Sequence, residues 1–277
     1  MDAKLQRRVQ RYGWDLASND YDPLWQEQLA PARNWMLELA AIEPGQQVLD
    51  LACGTGLATL AAGELVGASG SVLGTDLSGQ MVEVARQRAA EQRASNVTFK
   101  RMDAETLNLP DASFDVVLCS LGLMYVPDAK RAVREWRRVL KPGGRVAIAV
   151  WGKRANCGWS PVFPIVEAEV DSDVCPLFFS LGEPNALLNL CEDAGFRDVR
   201  QRRVASALKY DDAETACDAA FIGGPVALAW SRFDDEVRAE ARERYKHAIE
   251  PWRCVQGYRI PGEFVIVAGT NPTAHGA

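Results

Sequence analysis

The 277 residues suffice for one generous domain, or for one domain carrying a substantial insertion. Hydrophobic residues at 48% and charged residues at 25% lie near the ordinary globular mix, so a large buried core is expected. The net charge of -6 disfavours a nucleic-acid partner, which needs a basic face, and no apolar run approaches the ~20 residues of a membrane span. Residues 1–11 are polar and mixed in charge, unlike a secretory leader, so a cytoplasmic location is expected. Seven scattered cysteines without a Cys-x-x-Cys pair argue against a disulfide framework and against a zinc knuckle, and no metal is expected.

Ahead of the first strand, residues 11–25 are dense in aromatics: Tyr12, Trp14, Tyr21 and Trp25. The run Val48-Leu49-Asp50-Leu51 is a short apolar strand ending in a glycine turn, and a helix is predicted from Leu57 to about Val66. A second strand, Val72 to Thr75, ends at Asp76. Ser78 is the predicted N-cap of a helix whose Met81, Val82, Ala85 and Ala89 share one face. Asn96 to Arg101 and Phe114 to Cys119 read as the third and fourth strands, the fourth apolar enough to be buried on both faces. Asp128 caps a helix with Ala132, Val133, Trp136, Val139 and Leu140 on one side; its basic residues, Arg131 to Arg138, read as a solvated face. Lys141-Pro142-Gly143-Gly144 stops it, and Arg145 to Trp151 is a fifth strand. Further on, a helix over Leu187 to Ala194, a strand over Val199 to Leu208, a charged helix over Asp234 to Ile249 and a strand over Glu263 to Ala268 are expected. Irregular aromatic-rich pieces (Cys157 to Pro164, Phe221 to Trp230) lie between them, and Thr270 to Ala277 reads as a frayed tail. Strands alternating with helices imply an α/β fold: a Rossmann-like parallel sheet with helices on both faces.

In such sheets ligands bind beyond the carboxyl ends of the strands, near the point where strand order reverses. Gly54 and Gly56 let the backbone turn tightly and approach a ligand. Asp76, 20 residues past Gly56, sits where a carboxylate accepts hydrogen bonds from both hydroxyls of a ribose. An NAD site would share these features, but its G-x-G-x-x-G spacing requires glycine or alanine where Thr59 stands. Asp50, just ahead of the glycines, would repel a pyrophosphate and favour a cationic group.

The segment Val48-Leu49-Asp50-Leu51-Ala52-Cys53-Gly54-Thr55-Gly56 resembles the first motif of the class I S-adenosylmethionine (SAM)-dependent methyltransferases, in particular their ubiquinone/menaquinone-type and "type 11" branch. Gly74-Thr75-Asp76-Leu77-Ser78 is similar to the ribose motif of that family. Asp103-Ala104-Glu105 with Leu109 to Asp115 is similar to its adenine-side loop and fourth strand, and Leu140 to Gly144 to its approach to the fifth strand. The likeness covers residues 40–152, with Ala52 where glycine is commoner. It implies SAM as cofactor, Asp103 bonding the adenine amino group with Ala104 beside it, and Leu77 and Met81 packing on the ring. It further implies Ser120 and Leu121 near the methionine and sulfonium, and an N-terminal region folding over the cofactor with Tyr21 near its methionine end, Tyr12 being the weaker candidate. Asp115 reads as structural and Cys53 as a small filler. The expected organisation is an N-terminal helical lid over 1–40, which reads equally as a helix packed on the sheet by Trp14, Trp25 and Trp35, and a methyltransferase domain over 41–277. That domain divides into a core at 41–152 and cap segments within 153–260.

Methyl transfer from a sulfonium is an in-line displacement in which proximity and orientation dominate. Only two histidines exist, His247 on the charged helix and His275 in the tail, so a core His base is missing and His247 is expected at the surface. With Tyr21 it is a weak candidate for catalysis. The acceptor is therefore expected to be a small molecule that is already nucleophilic: an amine, a thiol, an acidic phenol or enol, or a stabilised carbanion. Trp159, Phe163, Phe178, Phe179, Trp230, Trp252 and Tyr258 hint at an aromatic or apolar one. An exocyclic-amine methyltransferase of nucleic acid would need Asn/Asp-Pro-Pro-Tyr after the fourth strand, where Ser120-Leu121-Gly122-Leu123 stands. A non-catalytic SAM-binding regulatory protein remains an alternative, and an NAD-dependent oxidoreductase fits the residues less well.

Overall fold

The computed structural model describes residues 3–170 and 175–273. Three helices open the chain: α1 (Ala3–Ala17), α2 (Tyr21–Trp25) and α3 (Ala30–Ala40). The alternating part follows as β1 (Gln47–Leu51), α4 (Leu57–Val66), β2 (Ser71–Asp76), α5 (Gly79–Glu91), β3 (Val97–Arg101), β4 (Phe114–Ser120), α6 (Ala129–Val139) and β5 (Leu140–Trp151). Beyond it come α7 (Val162–Glu167), α8 (Ala186–Asp193), β6 (Arg197–Tyr210), α9 (Ala213–Phe221), α10 (Ala227–Trp230), α11 (Asp235–Ile249), the two-residue β7 (Arg253–Cys254) and β8 (Gly257–Thr270).

The helix starts follow from local chemistry. Ser78 Oγ accepts the backbone N–H of Met81, Asp128 Oδ1 that of Arg131, and Asp234 Oδ1 that of Val237. Each satisfies an N-terminal N–H that has no partner within its own helix. The apolar face of α5 is buried as its period requires.

The sheet runs β3-β2-β1-β4-β5-β8-β6. The first five strands are mutually parallel; β8 lies antiparallel to both β5 and β6. Chain order reverses between β1 and β4, so the loops after Leu51 and after Ser120 flank the crevice where ligands bind in open sheets. β4 and the second half of β5 are buried almost throughout, as central strands covered on both sides must be.

Several sequence expectations need adjustment. Helix α6 stops at Val139, one residue short of the expected Leu140, and the ladder begins at Leu140 rather than Arg145, because Leu140 pairs with Phe114 across an irregularity in β4. Its basic residues are not all solvated. Arg138 bonds Glu135, Asp111 and the carbonyls of Leu107 and Leu109, and Arg137 bonds Ala194 O and Asn271. The expected irregular pieces include α10 and the start of α7. The helix α3 packs on β4, β5 and β8 and so belongs to the sheet's covering layer, leaving α1 and α2 over the carboxyl edge. The expected frayed tail begins ordered, since Thr270 ends β8 and Asn271 is buried and donates to the carbonyls of Leu140 and Lys141; residues 274–277, His275 among them, lie outside the described residues.

Candidate active site

The loops after β1, β2 and β3 build the floor. After β1 the chain turns through Ala52 (φ 52°), Gly54 (φ 54°) and Gly56 (φ 84°), all in the left-handed region. The two glycines adopt it without strain, whereas Ala52 pays a steric cost where the commoner glycine would not. A Cβ on Gly54 would meet nothing within 4 Å, so its bare backbone faces open space. Gly56 is different: a Cβ there would stand 2.9 Å from the Phe99 ring, so its smallness serves packing between the loop and the sheet. It is not among the residues that line the cleft.

Asp76 ends β2 with its carboxylate fixed. The N–H of Gly54 donates to Oδ2 at 2.9 Å and that of Ser78 to Oδ1 at 2.8 Å. Burial pushes its carboxyl up, and these N–H groups oppose the shift. Asp50 is fully buried at the root of the glycine loop. Thr59 Oγ1 donates to its Oδ2 at 2.6 Å, while Oδ1 has no partner. Burial raises its carboxyl to about 7 against the pull of Thr59. The residue at the position where a dinucleotide motif places glycine is thus engaged in holding Asp50.

These groups open on a cleft of about 1010 Å³, part of it continuous with solvent. Ala52, Gly54, Asp76, Leu77, Met81, Asp103, Ala104 and Ser120, all expected site residues, line it, as do Leu121 and Tyr21. A smaller chamber of about 450 Å³ shares Tyr21, Ala52, Gly54, Ser120 and Leu121 with the cleft and reaches Asp50 and Arg33. The far wall of the cleft is aromatic. Trp25, Trp151 and Trp159 stand 4.8 to 6.3 Å apart between ring centroids; Phe178 joins Trp159 to Tyr125, and Trp14 packs edge-on against both Tyr125 and Tyr21. Such pairs prefer tilted and edge-to-face arrangements, and together they make a stiff apolar surface.

The N-terminal helices roof this space through polar ties to each loop of the floor. Asp15 Oδ1 accepts from Ser78 Oγ at 2.6 Å and from Gln80 N–H at 3.2 Å. Asp22 accepts from Thr55 Oγ1 at 2.6 Å and pairs with Arg88. Arg7 bridges Glu105 at 2.5 Å and Asp103 at 3.2 Å, so Asp103 is shared between a roof cation and the cleft. Tyr12, by contrast, is 46% exposed and does not line the cleft. His247 is exposed on α11 and does not line the cleft, so the candidate base is overturned: its helix presents Ala241, Tyr245 and Ile249 inward and places position 247 outward. Asp115 holds the N–H of Gln47 and the Lys141 ammonium, the structural part expected of it.

Sequence reasoning missed Arg7, Arg33, Met102, Tyr125 and Trp151. Met102 follows β3 immediately and Trp151 ends β5, so a search of every strand's carboxyl end would have found both. Nothing local marks Arg33, which reaches the site only because α3 docks across the sheet.

This arrangement of sheet and carboxyl-edge cleft defines a Rossmann-like fold of the class I methyltransferase type. Residues 48–144 match the family described as "Methyltransferase domain". The chain is 35% identical to aklanonic acid methyltransferase DauC from a Streptomyces species, over 53% of this chain and 66% of that protein. It is 39% identical to the ubiquinone/menaquinone biosynthesis C-methyltransferase UbiE of Azotobacter vinelandii, over 51% of this chain and 54% of that one. The chain thus spans between about half and two thirds of the curated relatives it matches. Among solved structures, YcgJ of Bacillus subtilis superposes with a TM-score of 0.60 at 19% identity, covering 88% of this chain and all of that one. The cyclase SpnF gives 0.58 at 23% identity, covering 90% and 83%. These two likenesses establish the fold alone, since one fold hosts unrelated reactions. Residues 48–144 thus form a methyltransferase domain of the class I, SAM-dependent type.

The residues present suit that cofactor. A fixed carboxylate at the end of β2 fits a ribose diol, and a bare glycine backbone admits close approach. The unpartnered oxygen of a buried Asp50 fits an ammonium rather than a phosphate. Among the described residues no His/Cys/Asp/Glu cluster has the makings of a metal site, and no helix is long and apolar enough to cross a membrane.

Proposed function

We propose that this protein transfers the methyl group of SAM to a small, largely apolar acceptor that is already nucleophilic when it meets the donor. The observation that carries the reading is a single cleft with a carboxylate-and-glycine cradle at one end and an aromatic wall at the other. When bound, SAM supplies an electrophilic methyl group on a sulfonium; the chain's own residues bind, orient and exclude water. In this reading Asp76 takes the ribose hydroxyls, while Leu77, Met81 and Met102 sandwich the adenine. Asp103 and Ala104 meet its edge, Ser120 and Leu121 stand by the methionine, and Asp50 compensates its ammonium. The helices α1 and α2 act as the lid over the donor, and segments within 153–260 shape the acceptor end.

The groups around the aromatic end support the absence of a general base. Tyr21 and Tyr125 line it, and burial drives both phenols well above their ordinary range, so neither accepts a proton as phenolate near neutral pH. Asp76 is held by the N–H groups of Gly54 and Ser78, and Asp103 and Glu105 pair with Arg7, so in this reading they serve the donor; no histidine lines the cleft among the described residues. The acceptor must then bring its own lone pair or stabilised anion, and Tyr21 serves by donating a hydrogen bond.

The test is transfer of a radiolabelled methyl group from SAM to pools of phenols, enols, amines and thiols. Label in an acidic phenol, enol, amine or thiol supports the reading. Tight SAM binding with no transfer to any pool would favour a regulatory SAM-binding protein instead.

A further inference from the structure

Helix α1 reverses the usual arrangement of a surface helix, in which apolar residues face the core. It turns Gln6, Gln10, Gly13 and Ala17 towards the body of the protein, and its Arg7, Gln10 and Trp14 line the cleft beneath. Its outer face carries Leu5, Tyr12 and Leu16, which are 40%, 46% and 51% exposed, with half-buried Val9 among them. Spaced by four, three and four residues, these four side chains fall on one stripe of the helix. Among the described residues six large hydrophobic side chains are exposed, and this stripe holds three of them.

Cations run along one edge of the stripe. Lys4 and Arg8 are exposed, and the Arg11 guanidinium lies 5.2 Å from the centre of the Tyr12 ring. Asp15, the one acid of α1, is turned to Ser78, Gln80 and Arg11. The whole chain carries a net charge of -6, so this face runs against its general balance. An apolar stripe bordered by cations is complementary to an anionic lipid layer: the apolar side chains enter the acyl boundary while the cations meet the headgroup phosphates. A second copy of the chain suits it less well, because a two-fold contact would crowd the same cations together.

We propose that the outer face of α1 docks the protein on an anionic phospholipid bilayer. Lys4 and Arg8 draw the helix to the surface over the screening distance of the salt, and Tyr12 and Leu16 anchor it in the headgroup layer. The docking does not depend on what the cleft binds. Its consequence does rest on the acceptor reading above: with the roof of the cleft lying in the headgroup layer, an apolar acceptor reaches the aromatic end from lipid rather than from water.

The experiment is flotation of the full chain with vesicles of equimolar phosphatidylcholine and phosphatidylglycerol, and with vesicles of phosphatidylcholine alone. The unaltered protein should float with the anionic vesicles, bind the neutral ones at least about tenfold more weakly, and be released as salt is raised. Removing two cations in Lys4→Gln/Arg8→Gln should weaken anionic-vesicle binding roughly 25-fold, about fivefold for each charge. Leu16→Gln should weaken it about tenfold, through loss of one inserted side chain. Urea unfolding midpoints of both variants should match the unaltered protein, because these exposed side chains do not line the cleft. Absence of vesicle binding by the unaltered protein would overturn the proposal, as would equal binding to both vesicle types or binding that neither variant weakens. A dimer in sedimentation that Leu16→Gln dissociates, without vesicle binding, would overturn it in favour of an interface between copies. Vesicle binding with no methyl transfer to any acceptor would uphold the docking and remove only the acceptor reading.

Discussion

Asp50 offers the sharpest physical test, because its environment sets both a magnitude and a sign. Burial raises its carboxyl from 3.8 to about 7 in the folded, ligand-free protein. Below about pH 4 the group is neutral in folded and unfolded chains, and its contribution to stability is fully present. As pH rises towards 7 the unfolded chain ionises while the folded one does not, so stability is lost at ~1.4 kcal/mol per pH unit. Above the folded value the loss levels off at about 4 kcal/mol, of which about 2 kcal/mol falls between about pH 5.5 and pH 8. Asparagine keeps the acceptor for Thr59 and does not titrate. Urea unfolding of ligand-free protein should therefore show Asp50→Asn gaining about 2 kcal/mol on the unaltered chain from about pH 5.5 to pH 8. Titrating groups not coupled to Asp50 cancel in that difference. A pH-independent difference, or one of opposite sign, would refute the account of Asp50 as a buried carboxyl awaiting a cation.

Removing the ribose carboxylate in Asp76→Ala should raise the SAM dissociation constant by about 100-fold or more, through loss of two charge-assisted hydrogen bonds, each worth about 1.5–3 kcal/mol; equilibrium dialysis checks it. Deleting residues 1–25 removes Asp15, Asp22 and Arg7 and with them the ties to all three floor loops, so SAM affinity should fall sharply, whereas unchanged affinity would deny these helices a lid function. His247→Ala should leave the turnover rate and its pH profile within about twofold, as expected of an exposed side chain away from special contacts; disappearance of a near-neutral ionisation in the profile would restore it as a base.

The first half of the fold was legible because its signals are local. Ser78, Asp128 and Asp234 cap helices where their side chains say they should, and the apolar period of α5 and the continuous apolarity of β4 each match a burial pattern. The C-terminal half was less so. The strand β6, RDVRQRRVASALKY, lies at the sheet edge with only weak alternation, and β8 runs through a proline that interrupts its pattern. Site residues divide in the same way. Asp76 and Gly54 announce themselves by spacing, and Asp103 by its loop. Arg33, Tyr125 and Trp151 join the site through packing between distant segments, which leaves no local mark. Gly56 adds a requirement that no motif announces: its smallness is needed for packing against the Phe99 ring.

The central claim is that the cleft beyond β1 and β2 takes SAM and not a dinucleotide. Isothermal titration of the full chain with SAM, S-adenosylhomocysteine and NAD addresses it most directly. The account predicts saturable binding of the first two and none of NAD, because a buried carboxyl at the root of the glycine loop, held by Thr59 and with one oxygen unpartnered, favours a cation and disfavours a pyrophosphate. Tight binding of NAD without binding of SAM would contradict it.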